Sequence, residues 1–238
     1  MPGGGAVMPS EERNGRSETL RIYLLGEFRV ELGSRAVDEF SWRLRKARSL
    51  VKILALTPER RLHREQMMEL LWPGTDGATG LRGLNQALHA ARRALLSVYD
   101  SGMDPNDVIR HHHQVLSLLP LGPLWIDVEA FESRAIEASR TGDGRIFDEA
   151  VDLYHDDLLT EDRYEDWVAD RRITLNGLYL SLLHEFANRF EARGELPRAM
   201  DALRKIIAAD PANEDAHAGL MKLYALTGHR QHAIQQYH

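Results

Sequence analysis

Residues 81–99 read LRGLNQALHAARRALLSVY, and this stretch decides the fold of the first half of the chain. Leu81, Leu84, Leu88, Ala91 and Leu95 recur at helical spacing and define an apolar face. Arg82, Gln86, His89 and Arg93 fall on the other side, four, three and four residues apart, so their side chains point one way. Asn85 and Arg92 flank that row. Arginine can pair bidentately with guanine, and asparagine or glutamine with adenine. A solvated helix also carries a polar face, so the elements around it must decide between the two meanings.

Upstream, residues 20–32 (LRIYLLGEFRVEL) alternate apolar and polar side chains with a break at Gly26, the pattern of two short strands. A turn and a further short strand ending near Phe40 are expected over 33–41. Residues 43–57 switch to helical period, with Leu44, Ala47, Leu50, Val51, Leu54 and Ala55 in one stripe ended by Pro58. A second helix is expected at 63–72, with His63 as N-cap, Gln66 three residues on, and Pro73-Gly74 as the stop. GTDGATG (74–80) reads as a flexible loop; without a following Gly-Lys-Ser/Thr it is not a phosphate-binding loop. Residues 108–119 (VIRHHHQVLSLL) read as a hairpin. Strands, three helices and a hairpin, in that order, define a winged helix-turn-helix whose third helix is the recognition helix.

From Val128 the pattern is helical almost throughout, with helices expected at 128–141, 145–155 and 164–193. Gly194 and Gly228, Ala199 and Ala233, and Leu203 and Tyr237 each lie 34 residues apart. A 34-residue period of paired helices is the tetratricopeptide signature, and such repeats stack into a concave groove. The fold expected is α+β, a winged helix-turn-helix followed by an all-α tetratricopeptide-like repeat domain. Its parts are a disordered tail (1–18), a DNA-binding domain (19–120) and a helical domain (121–238) that reads as cut short inside its last helix.

Charge follows this division. The chain has a formal net charge of -6, yet residues 20–120 hold 15 Lys/Arg against 11 Asp/Glu and residues 121–238 hold 13 against 22. A basic half suits a polyanionic partner. Arg43, Arg45, Lys46 and Arg48 crowd the start of the first helix, and Arg60, Arg61 and Arg64 the start of the second, where they read as phosphate contacts that position without reading sequence. Arg110 and His111-His112-His113 lie at the expected wing tip, where protonation of the imidazoles would strengthen a DNA contact. Three consecutive histidines on a hairpin alternate sides, which disfavours a metal site. Asp156, Asp157, Glu161, Asp162, Glu165 and Asp166 lack calcium-loop spacing and read as a solvated inter-helix loop. Trp72, Trp125 and Trp167 read as packing anchors. The chain has no cysteine, which excludes disulfides, thiolate metal sites and a cysteine nucleophile. No signal peptide or membrane span is apparent, and a cytoplasmic, nucleoid-associated protein without cofactor or metal is expected.

In this order the elements resemble the actinobacterial antibiotic regulatory proteins (the SARP family), which join an OmpR-type winged helix to a bacterial transcriptional activator domain. The resemblance is carried by LRIYLLGEFRVELGSRAV, by HREQMMELLWPG, by LNQALHAARRALL with Arg92-Arg93-Ala94-Leu95, by WIDVEAFE with Asp127-Val128 and Phe131, and by the repeat with Gly194 and Gly228. It covers residues 20–238. It implies an activator that binds promoter direct repeats on double-stranded DNA as a homodimer and recruits RNA polymerase, often at secondary-metabolite genes. It also implies that Arg82, Asn85, Gln86, His89, Arg93 and Arg110 contact DNA. The chain departs from the family at the wing, where HHHQV replaces a Gly-rich turn and Tyr, and at Gly83, inside the recognition helix. Two other classes stay open on the residues alone: an interaction scaffold whose winged helix does not read DNA, and a hydrolase built on the acidic loop.

Overall fold

The structure, a computed structural model, describes residues 18–99 and 102–237. The expected tail (1–18) therefore lies outside the described residues except for Glu18, which pairs with Arg35 at 2.6 Å.

The alternating stretch forms β1 (Leu20–Tyr23) and β2 (Arg29–Leu32), followed by β3 (Arg35–Ala36). Leu20 and Ile22 of β1 and Val30 and Leu32 of β2 are buried, which is why these short strands hold one face to the core. The further strand expected to end near Phe40 stops at Ala36; Glu39–Ser41 is instead a 3-10 turn, because the Asp38 side chain caps it by accepting from the Phe40 N–H at 2.8 Å.

The helices α1 (Arg45–Leu56), α2 (Arg64–Leu71) and α3 (Gly77–Leu96) follow the expected periods. The His63 capping box is present in full. The expected loop at 74–80 is shorter than its glycines suggest. Asp76 accepts from the N–H groups of Ala78 and Thr79, and this cap starts α3 at Gly77. A short strand between α1 and α2, β4 (Arg61–His63), joins the hairpin β5 (Ile109–His112) and β6 (Val115–Leu118) in a three-stranded sheet ordered β4-β6-β5. His113 and Gln114 both have positive φ, as a two-residue hairpin turn of this handedness demands.

The chain then adds β7 (Leu124–Ile126), which runs parallel to β1 and makes the first sheet β3-β2-β1-β7. The strand that leads into the helical half thus completes the sheet of the first half. Beyond it run α4 (Asp127–Thr141), α5 (Gly144–Leu153), α6 (Asp166–Ala192), α7 (Leu196–Ala209), α8 (Glu214–Leu226) and α9 (Arg230–Tyr237). The 34-residue period is visible in the helix ends: α6 and α8 stop 34 residues apart and α7 and α9 start 34 apart. Gly194 and Gly228 have positive φ at the two equivalent helix exits. Phe147 stacks on Phe186 with centroids 4.4 Å apart, and Tyr154 on Tyr179 at 4.3 Å, which pins α5 to α6.

A seam joins the halves. Asp127, 1% exposed, accepts at Oδ2 from the N–H groups of Leu24 (2.7 Å) and Leu25 (2.8 Å) and at Oδ1 from Val128 (2.8 Å). Burial raises its pKa, opposed by those three hydrogen bonds and by His155. The loop after α5 docks on the Gly26 bend: Gly26 donates to Asp157 O at 2.9 Å and Leu159 to Leu24 O at 2.8 Å. Lys52 of α1, 2% exposed, donates to Asp162 Oδ2 and Glu161 Oε1, each at 2.5 Å. The acidic loop expected to be solvated is, in this part, an inter-half contact; Asp162 is 4% exposed because Lys52 supplies its counter-charge.

Candidate nucleic-acid interface

The apolar face of α3 is buried at Leu84, Ala87, Leu88, Ala91, Ala94 and Leu95. The same burial leaves Arg82, Asn85, Gln86, His89 and Arg93 exposed together. Arg82 reaches only as far as Thr79 Oγ1, at 3.2 Å. Beside the row, Gln86, His89 and Arg93 line one wall of an open groove of about 720 Å³, whose other wall is Asp38, Phe40, Ser41, Arg43 and Leu44. Phe40 stands 89% exposed on the capped turn.

Arg92 is placed differently from its neighbours. Its Nε and Nη2 donate to the Ile109 carbonyl at 2.9 and 2.7 Å, so it ties the recognition helix to the first wing strand. Burial lowers its pKa, and Asp104 acts in the opposite direction. The wing is tied to α2 as well: the Arg64 backbone N–H donates to Gln114 O at 2.7 Å. The wing is therefore held both to α3 and to the start of α2.

On the wing, Arg110 and His112 are exposed, while His111 faces inward. Burial, then the charges of Arg64 and Arg92, lowers the His111 pKa. The imidazolium expected to strengthen a DNA contact is therefore disfavoured at His111 by its surroundings. The rings of His112 and His113 lie 3.8 Å apart. Among the described residues no three His, Asp or Glu side chains are grouped to hold a metal ion.

The cations at the start of α1 divide. Arg45 pairs with Glu165 at 2.7 Å, and Arg48 with Glu161 at 2.9 Å and Glu39 at 3.7 Å. Arg60 pairs with Glu129 at 2.9 Å. The structure sets these three against the helical half or the turn before α1. Arg43 and Lys46 make no ion pair among the described residues. Sequence reasoning missed this division because each acidic partner of Arg45, Arg48 and Arg60 in the helical half lies far along the chain, 69 to 120 residues away.

Residues 126–238 match the family model of the bacterial transcriptional activator domain. Among solved structures the chain is similar to Mycobacterium tuberculosis EmbR in complex with a low affinity phosphopeptide, at 18% identity and a TM-score of 0.72, over 92% of this chain. The chain spans 58% of the length of that protein, and the likeness is one of fold. No curated protein matches the chain in sequence. A winged helix followed by a bacterial transcriptional activator domain is the architecture of the SARP-type regulators, and this chain has it. Among the described residues no helix is long and apolar enough to cross a membrane.

Proposed function

We propose that the protein is a sequence-specific, DNA-binding transcriptional regulator that reads the major groove of promoter DNA with α3. The observation that carries this reading is the exposed row Arg82, Asn85, Gln86, His89 and Arg93 on a helix whose opposite face is buried and whose far end is bound to the wing. Arg64, Lys46, Arg110 and His112 act on the phosphate backbone, where a cation contributes affinity without sequence preference. Arg92 orients the wing, and Arg45 serves the junction with the helical half. Residues 19–120 supply the DNA contacts and 121–238 the regulatory surface. The resemblance to the SARP-type regulators extends this proposal to a homodimer that binds direct repeats, activates transcription and recruits RNA polymerase.

The test is binding to genomic duplex fragments across a salt series. Several cation–phosphate contacts give a steep fall in affinity, about 10³-fold or more between 50 and 200 mM salt for six or more phosphates. A flat salt response would favour the interaction-scaffold reading instead.

A further inference from the structure

Gly83 is the glycine deepest inside the recognition helix and works against it locally, since glycine costs about 1 kcal/mol relative to alanine inside a helix. The structure supplies the reason. A β-carbon at position 83 would lie 3.0 Å from Cζ2 and 3.1 Å from Cε2 of Trp72, closer than the roughly 3.5–4.0 Å of a relaxed carbon–carbon contact. One turn earlier Gly80 faces Met68 and Thr75, where a β-carbon would meet Sδ at 3.4 Å and Oγ1 at 3.5 Å. Met68 and Trp72 are themselves one turn apart at the end of α2, so α2 seats two side chains on the glycine face of α3. The turn between the helices is closed as well: the Trp72 carbonyl accepts from Thr75 Oγ1 at 2.9 Å and from its N–H at 3.3 Å, and Asp76 then caps α3.

The row displayed to solvent begins at Arg82, beside this seat, and the far end of α3 is held at Ile109 by Arg92. A helix pinned at its far end and displaced at its near end tilts. Its bidentate side chains then miss the base edges, whereas a flexible cation still reaches a phosphate. Resting on the DNA-binding reading above, we propose that Gly83 and Trp72 are positioning residues for sequence specificity: the indole against a bare α-carbon sets the height at which α3 enters the groove.

Local propensity and this contact predict opposite results for Gly83→Ala. The experiment compares wild type, Gly83→Ala, Trp72→Phe and Gly83→Ala/Trp72→Phe on the duplex selected by wild type and on a scrambled duplex, with a melting curve for each. For Gly83→Ala the expected result is a loss of about tenfold or more on the selected duplex, the size of one good base contact, with scrambled-duplex affinity and salt slope unchanged and a melting temperature at or above wild type. The double variant, with its smaller ring, recovers most of the loss. Trp72→Phe alone opens a gap at the seat and lowers discrimination by a smaller factor without lowering scrambled-duplex affinity. The proposal is overturned by wild-type discrimination in Gly83→Ala, by equal losses on both duplexes, or, where Gly83→Ala does not fold, by wild-type discrimination in Trp72→Phe. Wild type that itself discriminates between no duplexes would instead remove the DNA-binding reading, and this inference with it.

Discussion

The start of α1 and the face of α3 are both rich in cations, and the structure treats them in opposite ways. Along α1 three of the four cations are answered within the chain, Lys52 by Asp162 and Glu161, Arg48 by Glu161 and Glu39, and Arg45 by Glu165, while Lys46 has no ion-pair partner among the described residues. On α3, Arg93 has no ion-pair partner among the described residues and Arg82 has only a hydroxyl. A cation that is answered inside the fold holds two halves together; one that is left exposed on a rigid element is available to an external anion. Arginine is found in both places, so residue type alone cannot assign the role.

This contrast can be broken in several places. The largest effect is expected at Lys52, where Lys52→Met leaves the buried Asp162 without its counter-charge and Glu161 with Arg48 alone; loss of one partner of a buried pair costs about 3–5 kcal/mol, read as a lower denaturation midpoint. Asp127→Ala comes next, at about 3 kcal/mol, because three backbone N–H groups lose a carboxylate acceptor and two of them lie in the β1 bend. Asp127 also has a pH signature. Its folded pKa is raised, so the folded state holds the proton more tightly than the unfolded chain. That contribution is fully present below the unfolded value and is lost as pH rises through the folded one. The stability of wild type relative to Asp127→Asn should therefore grow as pH falls through the carboxylate range; a difference that stays flat, or shrinks, would contradict the assignment.

On the recognition face, Arg93→Ala should weaken binding to the selected duplex by about 5- to 150-fold, the range of one bidentate base contact, and leave the melting temperature near wild type. The distant Arg198→Ala should leave DNA binding unchanged, because Arg198 is engaged with Asp148 at 2.8 Å; equal affinities for the two variants would refute the role of Arg93. The smallest effect is expected at Arg45→Ala. Arg45 is largely exposed in its pair with Glu165, which contributes about 0.2–1 kcal/mol, and DNA affinity should change less than for Lys46→Ala, as titrations on one duplex would show. A larger DNA defect for Arg45→Ala would return that residue to the phosphate contacts.

Much of this was legible in the chain. Helical period located α1, α2 and α3, the capping box at His63 located the start of α2, and the 34-residue spacing of Gly194 and Gly228 located the exits of α6 and α8. The misreadings share a cause. Glycines at 77 and 80 suggest a loop, but the Asp76 cap and the contact of Gly80 with Met68 override propensity. Leu124–Ile126 is too short to show alternation, and it is a strand only because β1 offers it an open edge about 100 residues earlier in the chain. Asp162 looks solvated from its neighbours and is buried by Lys52, 110 residues away. Local pattern reports what a segment prefers; the pairing of distant segments decides which cations remain for a partner. The exposed row of α3 was legible because one periodicity fixes both its buried and its displayed face.

The central claim, that the exposed row of α3 reads sequence, is tested most directly by selecting bound fragments from a random duplex pool with wild type and with an Arg82→Ala/Arg93→Ala variant at physiological salt. The account predicts an enriched motif for wild type that disappears in the variant while weak, salt-sensitive binding remains. The same motif enriched equally by both proteins would contradict it.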